Sequence, residues 1–189
     1  MLKFDLTKID LSDKPPEKVI FRNAARGITV KGRNVLMLRT NGPDYRFPGG
    51  VIHVGETARN TLLREYREEV GRRVRAIRGM FCEVVESRDD MFVRGKCFRM
   101  VSRYWICLVY EEDFGQRLAE YESSHGFVSE WVDINRAIAV NRLALSKARN
   151  NYWVQRELIV LEAVLEHLDR TKNIPEKDED EESIIPALV

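Results

Sequence analysis

The chain has 189 residues, 44% hydrophobic and 32% charged, with a net charge of +1, an ordinary composition for one soluble domain with a proper core. No apolar run approaches the ~20 residues needed to cross a bilayer, and the opening stretch "MLKFDLTKIDLSDKPPEK" lacks the apolar segment and cleavage site of an export signal. A cytoplasmic protein without a membrane partner is expected. The small net charge hides an asymmetry: residues 176–182, "EKDEDEE", carry −5, so the rest of the chain is mildly basic at +6, which suits an anionic substrate.

In chain order, "VIFRNAARGITVKGRNVLMLRT" predicts two strands with "KGRN" as the turn. "TNGPDYRFPGG" is punctuated by Gly and Pro and reads as loop. Thr57 to Val70 predicts a helix closed by Gly71 at its C-cap. "VRAIRGMFCEVVES" and "FRMVSRYWICLVYEE" are β-rich runs joined by a polar loop, a hairpin pattern. "GFVSEWVDI" predicts a short strand, and "INRAIAVNRL" and "NYWVQRELIVLEAVLEHLDR" predict helices. In the last, Val154, Leu158, Leu161, Val164, Leu165 and Leu168 recur at three- and four-residue spacing. Cys82, Cys97 and Cys107 lack metal-ligand spacing and sit in strand-like surroundings, so they read as buried reduced thiols. Strands and helices mixed in one unit indicate an α/β or α+β layered domain.

The helix after the glycine loop, in "GGVIHVGETARNTLLREYREEVGR", holds the chemistry. At ~100° per residue, Leu62, Leu63, Tyr66 and Val70 form an apolar face, while Glu65, Glu68 and Glu69 share an exposed arc of about 100° beside it. Arg64 borders that arc, and Glu56 precedes the helix, where a carboxylate favours the N-terminal dipole. By spacing alone, two readings stand: a solvated acidic face, or oxygen ligands for a hard cation such as Mg²⁺.

The wider pattern decides between them. The segment resembles the Nudix box, G-x5-E-x7-R-E-U-x-E-E-x-G-U with U a bulky apolar residue. Gly50, Glu56, Arg64, Glu65, Glu68, Glu69 and Gly71 match all seven fixed letters. Tyr66 and Arg72 depart at the U positions; His53 and Val51 stand where many relatives carry an acid and a third glycine, and His53 reads as a loop residue rather than a ligand. The order of flanking segments follows the family as well. The resemblance implies the Nudix α/β/α sandwich with a mixed β-sheet over residues 19–172, with 1–18 as an N-terminal extension and 173–189 as an acidic, disordered tail.

It also implies metal-dependent hydrolysis of a pyrophosphate bond in a nucleoside diphosphate linked to another moiety, with Mg²⁺, or Mn²⁺ in its place, as cofactor. Carried over residue by residue, Glu65, Glu68 and Glu69 hold metal with the Gly50 carbonyl as a further ligand, and Arg64 and Glu56 orient them; Arg46 and Phe47, just before the box, are the candidates for binding substrate. Tyr45, Phe92 and Trp131 are further aromatic candidates for base stacking. Neither the proline of ADP-ribose hydrolases nor the tyrosine of dinucleoside polyphosphate hydrolases stands at the expected place near Arg88, so a nucleoside triphosphate or a nucleotide sugar is the substrate class left open.

The general base is not fixed by the box. Some Nudix enzymes use a glutamate from a loop after the central strands, here "YEEDFGQRLAEYESSHGF", with Glu111, Glu112, Glu120 and Glu122 as candidates. Glu112 is preferred because it directly follows the apolar run "YWICLVY", and Glu68 is the alternative. Two other readings of the chain remain: a catalytically silent Nudix-like nucleotide-binding regulator, and an RNA 5′-end pyrophosphohydrolase suggested by Arg72, Arg73, Arg75 and Arg78. RNA is not the expected partner, since those arginines also read as solvated strand edges. The apolar end "IIPALV" offers a contact for a second copy, which leaves a homodimer open.

Overall fold

Strand β2 (Val19–Ile28) runs through the middle of the molecule, and its small residues explain why so much packs onto it. The computed structural model describes residues 1–11, 14–42, 44–119, 123, 126–147 and 151–172. Beyond β2, the strands are β1 (Leu2–Thr7), β3 (Val30–Lys31), β4 (Asn34–Arg39), β5 (Tyr45–Arg46), β6 (Gly49–Val51), β7 (Val74–Asp89), β8 (Cys97–Val109) and β9 (Val128–Asp133). Among the described residues, three α-helices accompany them: α1 (Ala58–Glu65), α2 (Ile134–Lys147) and α3 (Tyr152–Lys172).

A five-stranded mixed sheet has the order β1-β7-β8-β2-β6. In it β7 and β8 are antiparallel, as the hairpin pattern predicts, while β2 runs parallel to β8 with Val19 opposite Cys97 and Ile28 opposite Ile106. On the other side of β2, Ala25 lies opposite Gly50 of β6. The N-terminal residues, expected as an extension, contribute β1, which adds to the edge of β7 with Leu2 opposite Cys82 and Thr7 opposite Ser87. A second, antiparallel sheet centres on β4, paired with β3, β5 and β9. Its run Val35, Leu36, Met37 and Leu38 is buried on both faces, which explains a continuous apolar stretch without alternation.

The helices cover the sheets from two sides. Val35, Met37, Val84 and Ile106 pack with Ile134 and Ile138 of α2 and with Leu158, Leu161 and Val164 of α3. Each such side chain adds about 1.5–3 kcal/mol on burial, and the periodicity in α3 marks this face. Asp133 caps α2 by accepting from the backbone N–H groups of Asn135 (2.9 Å) and Arg136 (3.2 Å). Ala25, Leu36, Leu38 and Cys107 instead meet Leu62, Tyr66 and Val70 from α1 and the turn that follows it. Leu63, expected on this apolar face, is 38% exposed and lies at its margin. All three cysteines are buried and free, and burial pushes the Cys82 and Cys107 thiols up to about 12.

Two contacts between elements far apart in the chain lock these layers. Inside the core, Arg156 of α3 donates to Glu86 Oε2 (2.7 Å) and Glu157 Oε1 (2.8 Å), while the second Glu157 oxygen accepts from the Phe47 backbone N–H (3.1 Å). Glu157 is fully buried, so loss of the Arg156 charge removes its nearest counter-charge. On the opposite side, the ring of Tyr66 crosses Gly27, where an added Cβ would lie 2.2 Å from Tyr66 Cε2, and Tyr66 Oη is 2.8 Å from Thr29 Oγ1. Gly27→Ala is therefore expected to lower stability by ~2 kcal/mol or more through overpacking, with part of the loss recovered in a Tyr66→Leu background. Urea unfolding midpoints check both, and an unchanged Gly27→Ala midpoint would remove the ring from this position.

Candidate active site

The box begins on β6 and turns onto α1 through a short loop. Glu56 closes that loop: its Oε2 accepts from the His53 backbone N–H (3.2 Å), and its own N–H donates to the His53 carbonyl (2.9 Å). His53 itself points to solvent, with a side chain 67% exposed. Thr57 is the N-cap, its hydroxyl accepting from Asn60 N–H at 3.2 Å. The α-helical ladder holds to Glu65, and Tyr66–Val70 form a π-turn closed by Gly71 in the left-handed region (φ 73°). The single regular helix expected to Val70 is thus loosened over the glutamates, and π-turns of this kind concentrate at functional sites.

Arg64 gathers the acids. Its Nε and Nη2 donate to the two oxygens of Glu56 (3.0 and 3.2 Å), a bidentate fork. Its Nη1 donates to Glu65 Oε1 (2.8 Å) and Glu68 Oε2 (3.3 Å). The hydrogen bond from Arg64 holds the Glu56 carboxyl down at about 2, and the same bond raises the Arg64 pKa further above its ordinary value.

The expectation of an exposed acidic arc is corrected here: Glu65 and Glu69 are buried, at 6% and 5% exposure. A helical wheel places residues around an axis but does not say which arc meets a neighbouring strand, and β6 covers this one. Glu65 Oε1 lies 2.1 Å from where a Cβ on Gly50 would stand, so the carboxylate occupies the space that glycine leaves empty. Glu69 Oε2 accepts from the Gly49 backbone N–H at 2.7 Å. Gly49 has φ 133° and would clash with the Ala25 carbonyl if it carried a side chain. Glu68 remains the accessible acid, its side chain 42% exposed.

Other expected residues fall differently. Phe47 is fully buried, its ring edge-on to Tyr104 at 5.5 Å, and has no face to offer a base. Tyr45 is 3% exposed and donates to Glu130 (2.6 Å), and Trp131 packs against the α1 core. Phe92 is 89% exposed on the β7–β8 turn. The Arg46 guanidinium is held by Asp44 (3.0 Å) and lies over the Phe127 and Trp153 rings. Glu112 is exposed on the segment after β8, Glu111 pairs with Lys31 (3.0 Å), and Glu120 and Glu122 lie outside the described residues.

Three supporting residues carry no sequence signal of their own. Arg26 Nη1 donates to the Gly49 carbonyl (3.2 Å) and Glu157 holds the Phe47 N–H, so the backbone leading into Gly50 is fixed from elsewhere in the chain. Gln116 donates to the Glu69 carbonyl (2.5 Å), tying the segment after β8 to the end of the box. As placed, no three acidic, His or Cys side chains among the described residues converge on one ion position. The donor set nevertheless suits a hard cation: Gly50, Glu65, Glu68 and Glu69 offer only oxygen, and the Arg64 guanidinium already places a positive charge between Glu65 and Glu68.

Carboxylates this close together need a positive partner, and here they stand on a mixed sheet that helices cover on both sides. The NUDIX domain model matches residues 21–156, and the chain belongs to that family. Among solved structures, an ADP compounds hydrolase is 16% identical with a TM-score of 0.51, the match covering 81% of this chain and 76% of that one. A MutT NUDIX hydrolase from Burkholderia pseudomallei is also 16% identical, covering 61% of this chain and 85% of that one at a TM-score of 0.46. The ORF135 protein of E. coli, 16% identical, is matched over 86% of this chain and 99% of its own at a TM-score of 0.47. No curated protein sequence matches the chain. Among the described residues, no helix is long and apolar enough to cross a membrane.

The Arg64–Glu56 fork sets a pH dependence. A carboxyl lowered from 4.5 to about 2 contributes stability that is complete above 4.5 and is lost as pH falls through about 2. Glu56→Gln is expected to lower the urea midpoint at neutral pH, with the difference from wild type shrinking as pH falls through that window. A difference that stays constant with pH would show that the charge of Glu56 is not what stabilises the fork.

Proposed function

We propose that this chain hydrolyses a pyrophosphate bond in a nucleoside diphosphate linked to another moiety, in the nucleoside triphosphate or nucleotide sugar class, with Mg²⁺ or Mn²⁺ bound. The observation that carries this reading is the intact acid set, with Glu65 and Glu69 locked against Gly50 and Gly49 and Glu68 left accessible. Nudix hydrolases generally use divalent metals. The Gly50 carbonyl, Glu65, Glu68 and Glu69 would hold the ions. Divalent cations held there would neutralise the pyrophosphate and make the attacking water more acidic.

The protein's own residues do the rest. Glu56 fixes Arg64, and Arg64 fixes the orientation of Glu65 and Glu68. Water oxygen attacks phosphorus, its proton passes to a carboxylate, and the bond from phosphorus to the bridging oxygen breaks, leaving two phosphorylated products. Glu68 and Glu112 are the two proton acceptors of this reading. Glu112 sits on a segment held to the box end by Phe114 N–H to Gly71 O (2.8 Å) and Arg117 N–H to Glu68 O (2.7 Å). A regulator that binds nucleotide without turnover is the contrasting reading, and the complete acid set favours hydrolysis.

EDTA is expected to abolish nucleotide hydrolysis, and Glu65→Gln and Glu69→Gln each to cut kcat by at least ~100-fold while circular dichroism shows the fold retained. Product chromatography over nucleoside triphosphates, ADP compounds and UDP sugars with Mg²⁺ or Mn²⁺ reads the substrate class. Full turnover in metal-free buffer, or nucleotide binding with no product from any of them, would refute the reading. For the base, pH–rate profiles of Glu68→Gln and Glu112→Gln at saturating Mg²⁺ decide: the true acceptor's variant loses the acidic limb of kcat and still binds metal. If Glu112→Gln keeps both limb and rate, the base belongs to the box helix.

A further inference from the structure

Away from the acids, the C-terminal end of the box carries the opposite charge. A cleft of about 240 Å³ opens there, lined by Arg67, Arg72, Arg73 and Arg117 together with Phe114 and Gly115. None of Glu56, Glu65, Glu68 and Glu69 is among the residues that line it.

Arginines near a helix C-terminus ordinarily serve its unpaired carbonyls, but here other groups already do so. Tyr66 O accepts from Arg72 N–H (3.1 Å), Glu68 O from Arg117 N–H (2.7 Å), Glu69 O from Gln116 (2.5 Å) and Gly71 O from Phe114 N–H (2.8 Å). Backbone and amide groups thus occupy those acceptors, and the guanidinium groups of Arg67 and Arg117 are not needed for them. Counter-charge is sparse as well. Arg72 meets Asp113 at 3.5 Å and donates to the Glu111 carbonyl, while Arg73 lies over the half-exposed Phe114 ring at 4.7 Å. Among the described residues, Arg67 and Arg117 make no ion pair. Four guanidinium groups around one cleft with a single facing carboxylate leave it net positive, which favours an anion between them.

We propose that this cleft is a second binding site, separate from the acid cluster, for a small phosphate-bearing anion with a di- or triphosphate chain. Guanidinium pairs suit phosphate oxygens through parallel N–H donors. The volume lies below the ~300–1,000 Å³ of pockets that enclose drug-sized ligands, which fits a phosphate chain better than a whole nucleotide. The site goes beyond the hydrolytic reading and does not depend on it.

Calorimetry with inorganic pyrophosphate in EDTA at low salt isolates the cleft from metal-dependent binding. Wild type and Glu69→Gln are expected to bind alike, while Arg67→Ala/Arg117→Ala weakens binding at least tenfold with an unchanged melting temperature. Equal affinity for pyrophosphate and ADP assigns the phosphate chain alone, and tighter ADP places its base on Phe114; either supports the site. No measurable pyrophosphate binding, or binding unchanged in the double variant, overturns it. So does a ten-nucleotide RNA that binds with a salt dependence of several phosphates where pyrophosphate does not bind, because the arginines would then form an open nucleic-acid surface.

Discussion

The box helix can lie this close to the sheet only because side chains are missing along the line of contact. Gly27 admits the Tyr66 ring, Gly49 lets β6 pass the Ala25 carbonyl, and Gly50 leaves room for the Glu65 carboxylate; a Cβ at any of the three would stand within 2.2 Å of its neighbour. With side chains at these positions the helix would be pushed outward. Glu65 would then lose its place over the strand, and Glu69 its bond to the Gly49 N–H. Tyr66 is the anchor on the helix side, fully buried with its hydroxyl at Thr29. The acids are therefore held by the same packing that forms the core, and the site is no looser than the sheet beneath it.

Close approach brings carboxylates together at a distance where they repel, and the structure offsets this with one guanidinium. Arg64 reaches Glu56, Glu65 and Glu68 at once, its planar fork satisfying both oxygens of Glu56. A lysine could not make these contacts, since a single ammonium lacks the paired donors. A second charged knot, Arg156 with Glu86 and Glu157, reaches the backbone just before β6 through the Phe47 N–H. Arg26 joins from β2 through the Gly49 carbonyl. The turn that presents Gly50 is clamped from both layers.

Much of this was legible in the sequence because it is local. The glutamates, Arg64 and the capping Gly71 recur at spacings one helix can read, and the Leu158, Leu161 and Val164 repeat marks the buried face of α3. Burial of Glu65 and Glu69 was not legible, since it depends on which strand meets that arc and on the π-turn that alters the spacing. Phe47 reads like any aromatic beside a glycine loop; only the partner ring of Tyr104 places it in the core. Arg26 and Glu157 act on the site from segments remote in sequence, where no spacing rule applies. Strand β1 did leave a trace: Leu2, Phe4 and Leu6 alternate with polar residues, and Phe4 and Leu6 pack on the main core.

The three box glutamates occupy unequal environments, and the inequality bears on what each can do. Glu65 is wedged at Gly50 and bonded to Arg64; Glu69 is fixed by a backbone N–H. Neither can swing without breaking buried contacts, and an unpaired buried carboxylate is costly. Glu68 differs, with a half-exposed side chain and a longer 3.3 Å bond to Arg64. Its main chain is nonetheless held, because its carbonyl accepts from Arg117 on the segment that also carries Glu112. A fixed backbone with a free carboxylate lets Glu68 turn toward solvent or toward its neighbours without disturbing the helix. Two rigid acids and one adjustable acid thus share a single turn.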